Sequence, residues 1–533
     1  MREISNGLDR RTFLAGLGAA AGLGALRGVS ARAAAKYTRY NVTSTEGKRM
    51  LVSYAKGIRA MLDLPAKHPH NWFRNAFVHF MDCPHGNWWF YVWHRGYVGL
   101  FEQTIRKLSN DPVFTMPFWD WSELPQLPDE MFDGVLTPTD QAYRPYTSDI
   151  ATFTNFIQPA LKEYWDTLSK EQRGQQEERA VTSFEGLWEG VTGGTDPANA
   201  AFAATARARY LTRQSPALDK GTTYDASPQV VFGGLAPTFF YASDAPPKYL
   251  QALSFNSVRT DSHVTQPGST TWFSVLEGMP HNNVHNDIGG VGPWDPGPYG
   301  YMTNFLSPVD PVFFLHHANI DRLWDVWTRK QKAQRLSYRP NDQDAPAFMN
   351  ERFRFFVDSG GQYLTDAKAG DFFETEAFGY EYAPATGDPL ISAVTMATVP
   401  AERMAAEAAV RGNIATLILS TVAPQTQLAA AVTLQLPAGS GRSFDVLVNA
   451  PPGVTQADPG SPFFAGRIAF FGPIHQIHDG GATFLVPLTH PQPGGGVRGL
   501  ANLPGAGGEV NITVLPSHGH PVPVVKAVSV QSF

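Results

Sequence analysis

The stretch Glu277-Gly-Met-Pro-His281-Asn-Asn-Val-His285 decides how this chain reads, together with Asp310-Pro-Val-Phe-Phe-Leu-His316-His317-Ala-Asn-Ile-Asp321-Arg322 beyond a Gly/Pro-rich loop. His281 and His285 are four apart, so on a helix they stand one turn above each other on one face. Two imidazoles so placed can share a metal ion, and a third donor from another helix completes a site. Asp310-Pro311 starts that other helix, because Asp caps an N-terminus well and Pro fits the first turn. Adjacent helical residues diverge by about 100°. Only one of His316 and His317 therefore faces the metal, and the other stands behind it.

A partner set lies upstream. Asn71–Met81 reads as a helix containing His79, which Cys83-Pro84 stops. His85 and His94 are nine apart, about 900° of helix, and would face opposite ways in one continuous helix. If both bind one ion, His85 lies on the loop before a helix that holds His94 and runs to about Leu108, and His79 comes from the preceding helix. His68-Pro-His70 is an alternative source for the third ligand, but the intervening proline favours a loop. Seven of the 15 histidines fall in the two clusters, His316 included. All-imidazole ligation suits Cu, Zn, Ni or Fe. A di-iron bundle would need carboxylates within each set.

The rest of the composition sets bounds. The 533 residues can bury a large core in more than one domain. With 43% hydrophobic and 17% charged residues and a net charge of −6, there is no basic footprint for nucleic acid. Twelve per cent aromatic residues imply a dry, ring-lined interior. One cysteine, Cys83, excludes an intrachain disulfide. Near the start, Asp9-Arg10-Arg11-Thr12-Phe13-Leu14 precedes a mild apolar run, and Ala31-Arg32-Ala33 resembles a small-x-small cleavage site. Residues 1–33 thus resemble a bacterial twin-arginine signal, with Asp9 departing from the usual Ser or Thr. The expected destination is the periplasm or the medium, with no membrane span left after signal removal.

The motifs together resemble the type 3 copper proteins, the group of tyrosinase, catechol oxidase and haemocyanin. The likeness covers about residues 70–120 and 272–330, and more weakly to 382. It rests on His85-x8-His94-Arg95 with Cys83 before it, on Pro117-Phe-Trp-Asp-Trp121, on His281-Asn-x-x-His285, and on the run from Asp310 to Arg322. It implies a mainly α catalytic domain, residues 36–382, whose four-helix bundle holds a dinuclear copper centre. His79, His85 and His94 would bind one copper ion, and His281, His285 and His317 the other, with His316 behind them. Cys83 matches a position where some members form a thioether to the ligand histidine, here His85. Phe90, one turn before His94, would pack on a ligand ring. Glu277 and Asn282 resemble the pair that holds a water near the second copper and takes a phenol proton. Asp321 reads as structural, paired with Arg322 or a helix end.

The resemblance further implies O2-dependent ortho-hydroxylation of small phenols and oxidation of catechols to o-quinones. Catechol oxidase or o-aminophenol oxidase without phenol hydroxylation is the alternative. An oxygen carrier is disfavoured by a single copper domain with an export signal, and a zinc hydrolase by the paired all-histidine sets. Residues 122–270 read as an irregular insertion, with helical pieces at 154–173 and 199–213, that shapes a site mouth or a homo-oligomer surface. Met302 or Asn304, between the second-set ligands, is expected to gate the entrance. After Tyr380-Glu-Tyr382, residues 383–398 read as a linker and Pro400–Arg411 as a short alanine-rich helix. Alternating or apolar runs from Ile414 to Val530, punctuated by Gly and Pro, then predict a C-terminal antiparallel β-sandwich over 399–533. In latent relatives such a domain covers the copper site, and Phe463 or Phe464 is expected to be the covering side chain. His475 and His478 would point to opposite faces of a strand, so their pairing reads as incidental.

Overall fold

The computed structural model describes residues 36–148, 150–192, 227–241, 254–264, 271–289, 301–303, 305–392, 405–419, 427–435, 442–472, 481–500, 503, 508–517 and 523–532. The signal-like segment, the helix expected at 199–213, Asn304, His475 and His478 lie outside these residues. Within them the piece expected at 154–173 is a correction, since it forms two helices, Ile150–Thr167 and Lys170–Glu178, the second opened by a Ser169 cap. The helices leading into the first histidine set follow their capping signals. Ser44 accepts the Gly47 amide and opens α1, Thr45–Leu62. Asn71 accepts the amides of Phe73 and Arg74 and opens α2, Trp72–Asp82, after which Cys83 turns extended before Pro84. The loop that follows needs Gly86. Its φ is +69°, and a Cβ there would lie 1.8 Å from Thr271 Cγ2. The helix α3 then runs over Phe90–Leu108.

His281 departs from the simple helical reading. It closes a π-helical turn, Glu277–His281, that contains Pro280 and leads directly into the helix Asn282–Gly289. Pro280 offers no N–H to the ladder, and a wider turn accommodates it. Asp310 Oδ1 accepts the Val312 amide at 3.1 Å, and the long helix Val312–Ala333 begins there. These segments pack into the helical core around rings such as Phe101 and Phe314, stacked 3.5 Å apart. Tyr37–Arg39 and Tyr380–Tyr382, from the two ends of this core, pair as parallel strands.

Two five-stranded sheets make the C-terminal sandwich. One runs in the order Thr271–Phe273, Ala482–Pro487, Leu428–Gln435, Val524–Ser532, Ala405–Glu407. The other runs Ala409–Arg411, Ile414–Ile418, Glu509–Pro516, Ser443–Val448, Phe464–Ala469. All pairings are antiparallel except the first, where Thr271–Phe273 lies parallel to Ala482–Phe484. The helix expected over Pro400–Arg411 is a correction. Its described part forms two short strands, because Ala405–Glu407 pairs with Ser529–Gln531 and Ala409–Arg411 with Ile414–Thr416. Tertiary pairing overrides the helical preference of alanine.

Candidate metal centre

Both histidine sets are buried and converge. The potential ligand atoms of His79, His85 and His94 lie within 4.8 Å of one another, and so do those of His281, His285, His316 and His317. His79 comes from α2, His85 from the loop after it and His94 from α3. The two sets also meet: His94 and His317 stack with ring centroids 4.2 Å apart, and His85 lies 5.5 Å from His281. His68 and His70 lie beside each other, with ring centroids 5.6 Å apart and planes tilted by 39°, and belong to neither set.

Hydrogen bonds fix which nitrogen points inward. Nδ1 of His79 lies 2.7 Å from the Phe305 carbonyl, Nδ1 of His94 2.7 Å from that of Phe90, and Nδ1 of His285 2.7 Å from that of Met302. A carbonyl only accepts, so each Nδ1 carries the proton and each Nε2 presents a lone pair. Those lone pairs face one another: Nε2 of His79 and His94 are 3.4 Å apart, and Nε2 of His285 and His317 are 3.3 Å apart. Burial pushes His79 and His281 down to about 3, and holds His85, His94, His285, His316 and His317 well below the ordinary histidine value. Neutral rings with lone pairs aimed at shared points form a cation site, and two all-imidazole sites suit copper. His316 accepts at Nδ1 from Trp121 Nε1, 3.1 Å away, which ties the Trp-Asp-Trp motif to the second set.

Around the sets, Phe90 sits between them, with its ring 4.7 Å from His94 and 4.8 Å from His281. Glu277 is fully buried, its Oε1 3.5 Å from His85 Nδ1. It accepts from the Gly86 amide at 2.6 Å and from the Ser257 hydroxyl at 2.5 Å. Burial outweighs these two bonds and raises its carboxyl to about 8. Asn282 accepts from His281 Nδ1 at 2.8 Å and donates to the Ala469 carbonyl at 2.6 Å. Cys83 is a buried free thiol, pushed up to about 12 by burial.

Two expectations need correction. The aromatic side chain over the histidines is Phe471. Its ring lies 4.1 Å from His285, 4.9 Å from His85 and 5.6 Å from His281. Phe463 and Phe464 stand at the start of the outer strand and are only partly buried, because the chain runs on along that strand before it reaches the site. Asp321 pairs across the core instead of with Arg322. It accepts from Arg95 Nε at 2.6 Å, from Arg39 Nη1 at 3.2 Å, from Tyr382 at 2.6 Å and from Tyr380. Arg322 turns to Asn319 and the Thr386 carbonyl.

Sequence reasoning also missed His263. This buried imidazole bridges Asp82, 3.2 Å from Nε2, and Glu351, 2.5 Å from Nδ1, while its backbone carbonyl accepts from Asn87 at 2.9 Å. Those carboxylates outweigh burial and raise it to about 9. It pins both ends of the loop carrying His85. Nothing local marks it, since its partners lie far away in sequence.

The comparisons agree with this geometry. Residues 58–330 match the family model described as the common central domain of tyrosinase. Polyphenol oxidase II of Ipomoea batatas is 24% identical over 63% of this chain and 47% of its own length. Tyrosinase HcTyr1 of a Hahella species is 28% identical over 60% of this chain and 50% of its own. The chain thus spans about half the length of these relatives. Among solved structures, latent aurone synthase aligns with a TM-score of 0.54 at 17% identity over 94% of this chain and 89% of that one. Latent apple tyrosinase aligns with a TM-score of 0.52 at 17% identity over 94% and 98%. The helical core followed by a β-rich C-terminal region is therefore a fold these latent polyphenol oxidases share. With the central domain matched over half its length and two histidine sets fit for two copper ions, the chain belongs to the tyrosinase family.

Proposed function

We propose that this protein is an exported tyrosinase, hydroxylating small monophenols at the ortho position and oxidising catechols to o-quinones. The catalytic domain is taken as residues 36–382 and the covering domain as 399–533. His79, His85 and His94 would hold one copper ion and His281, His285 and His317 the other. The observation that carries this reading is the pair of facing Nε2 sets meeting at the His94–His317 stack. When bound, the copper pair supplies oxygen activation and accepts or returns two electrons. The rest is positioning by the chain. Phe90 holds the ligand rings against rotation, and the aromatic walls keep water out. Glu277, in its ionised form, is proposed to take the proton of a phenol entering beside the histidine sets, from a position where its carboxylate lies 3.5 Å from His85 Nδ1. Cys83 is proposed to bond His85 as a thioether, the S–H and one ring C–H being given up to O2 as the two-electron oxidant, which would show as resistance to thiol reagents after denaturation.

Phe471 closes the space a substrate ring would need, so the form described here is read as latent. A second reading, catechol oxidase or o-aminophenol oxidase, has one observation in its favour. The Asn282 amide accepts from His281 and donates to the Ala469 carbonyl, and among the described residues it makes no direct hydrogen bond to Glu277. Assay of tyrosine against L-DOPA, on intact and proteolytically clipped protein, separates the two. Tyrosine hydroxylation should appear on clipping. Catechol turnover without it would establish the second reading. No helix of the described residues is long and apolar enough to cross a membrane, and the export route rests on the twin-arginine resemblance.

A further inference from the structure

The segment Thr271–Asn286 carries Glu277, His281 and His285, and it docks on two sheet edges at once. Thr271–Phe273 is itself the outermost strand of one sheet, paired with Ala482–Phe484. Phe273, Val275 and Met279 continue inward and belong to the apolar cluster of the sandwich, not to that of the helical core. Phe471 makes the reverse exchange and belongs to the helical cluster.

Among the described residues the second sheet ends on Phe464–Ala469. Side chains of the ligand helix hydrogen-bond to backbone carbonyls of that strand and of Phe470 just past it. Asn283 Nδ2 donates to the Arg467 carbonyl at 2.7 Å, Asn282 Nδ2 to Ala469 at 2.6 Å and Asn286 Nδ2 to Phe470 at 2.8 Å. All three asparagines are buried. Asn282 and Asn286 are four apart and share a helix face. These residues flank the ligands, since two of them follow His281 directly and the third follows His285. Arg442 of the sandwich adds a further tie, donating to the carbonyls of Thr303 at 3.1 Å and Gly472 at 3.0 Å. Thr303 is the neighbour of Met302, whose carbonyl orients His285. In the first set, by contrast, His79 and His94 take their orienting carbonyls from Phe305 and Phe90, both outside the sandwich.

We propose that the strand edge Arg467–Phe470 is a positioning element of the second metal site, acting through Asn282, Asn283 and Asn286 on His281 and His285. The C-terminal region then has two opposed roles: Phe471 closes the site while the strand beside it helps to build it. Asn283 and Asn286 are positioning residues, and the inference rests on reading His281, His285 and His317 as copper ligands.

The test uses full-length, copper-loaded protein titrated with a copper chelator, with metal content and the oxygen-dependent absorption band followed together. The double variant N283D/N286D keeps side-chain size but turns each donor toward a carbonyl as an acceptor. Expected is a roughly 10–100-fold weaker hold on one ion, the scale for losing groups that orient ligands. Copper should fall from two ions per chain to one, with the band lost at that step and the remaining ion leaving at the wild-type chelator concentration. General destabilisation would instead release both ions together, and that result overturns the proposal, as does wild-type retention of both. Should the double variant not fold, N283A gives the same one-ion step at smaller displacement, and its absence is equally decisive. F471A, which removes the ring and leaves the asparagine contacts, should retain both ions like wild type. One-ion loss in F471A as large as in the asparagine variant would overturn the proposal too. Wild-type protein that never binds two ions would sink the ligand reading itself, a separate outcome.

Discussion

The two histidine sets do the same job with different supports. The first is assembled from sixteen consecutive residues, 79 to 94, on α2, α3 and the loop between them. Its neighbours are helical-core residues such as Trp93, whose Nε1 donates to Asp82 at 2.7 Å. The second hangs on a π-turn and a short helix whose outer face is hydrogen-bonded to a strand about 180 residues further along. Helical-core packing, with His263 and the Phe305 carbonyl reaching in from later in the chain, supports one ion site, and a borrowed sheet edge supports the other. A site can therefore look complete in its ligands and still depend on a distant part of the chain.

The largest expected effect breaks either side of the comparison outright. His94→Ala and His317→Ala should each abolish oxygen uptake with catechol, and metal analysis should show the loss of one ion, from the first or the second set respectively. Retention of both ions by His317→Ala, with loss in His316→Ala, would exchange the roles of the adjacent pair. Next, Asp321→Asn removes the charge that two buried arginines and two tyrosines converge on. Breaking such a buried network costs about 3–5 kcal/mol, visible as a lower Tm with both sets affected alike.

A smaller effect sharpens the first set alone. His263 is held charged by Asp82 and Glu351 up to about pH 9. Its folded value lies above the ordinary 6.5. The clamp's contribution is therefore fully present below about pH 6.5 and is lost as pH rises through about 9. The shift corresponds to about 3 kcal/mol at most. His263→Gln should lower stability in denaturant titration at pH 6 and converge on wild type near pH 10. A constant difference across that range would remove the charge argument. The smallest effect concerns the cover. Phe471→Ala should raise catechol turnover of the intact protein, and a roughly tenfold gain corresponds to about 1.4 kcal/mol of relieved exclusion. Unchanged turnover would show that the ring does not limit entry.

What could be read from the sequence divides along the same line. Asn71, Cys83-Pro84 and Asp310-Pro311 are local signals, so the helices and the histidine spacing were legible. The strands Leu428–Gln435 and Ser443–Val448 formed over the apolar runs that marked them, for the same reason. Phe471 was not found, because Phe463 and Phe464 resemble the right motif while the residue that reaches the histidines depends on how the outer strand ends. The Pro400–Arg411 region failed through alanine, whose preference for helix yields to a waiting strand partner. Asp321 was given Arg322 or a helix end as its partner, whereas Arg39 and Arg95 approach it only through the tertiary fold.

The parallel ladder between Tyr37–Arg39 and Tyr380–Tyr382 has a consequence for how the molecule is made. Arg39 is wholly enclosed and shares its charge with Glu102, Asp321 and Tyr382, the last 343 positions away. While a ribosome is still producing the middle of the chain, that guanidinium lacks most of its final companions, and the early helices can only collapse provisionally. Closing so long a loop is entropically slow. Maturation of the core thus begins in earnest when the strand ending at Tyr382 emerges, and nascent chains stalled before it should remain sensitive to protease.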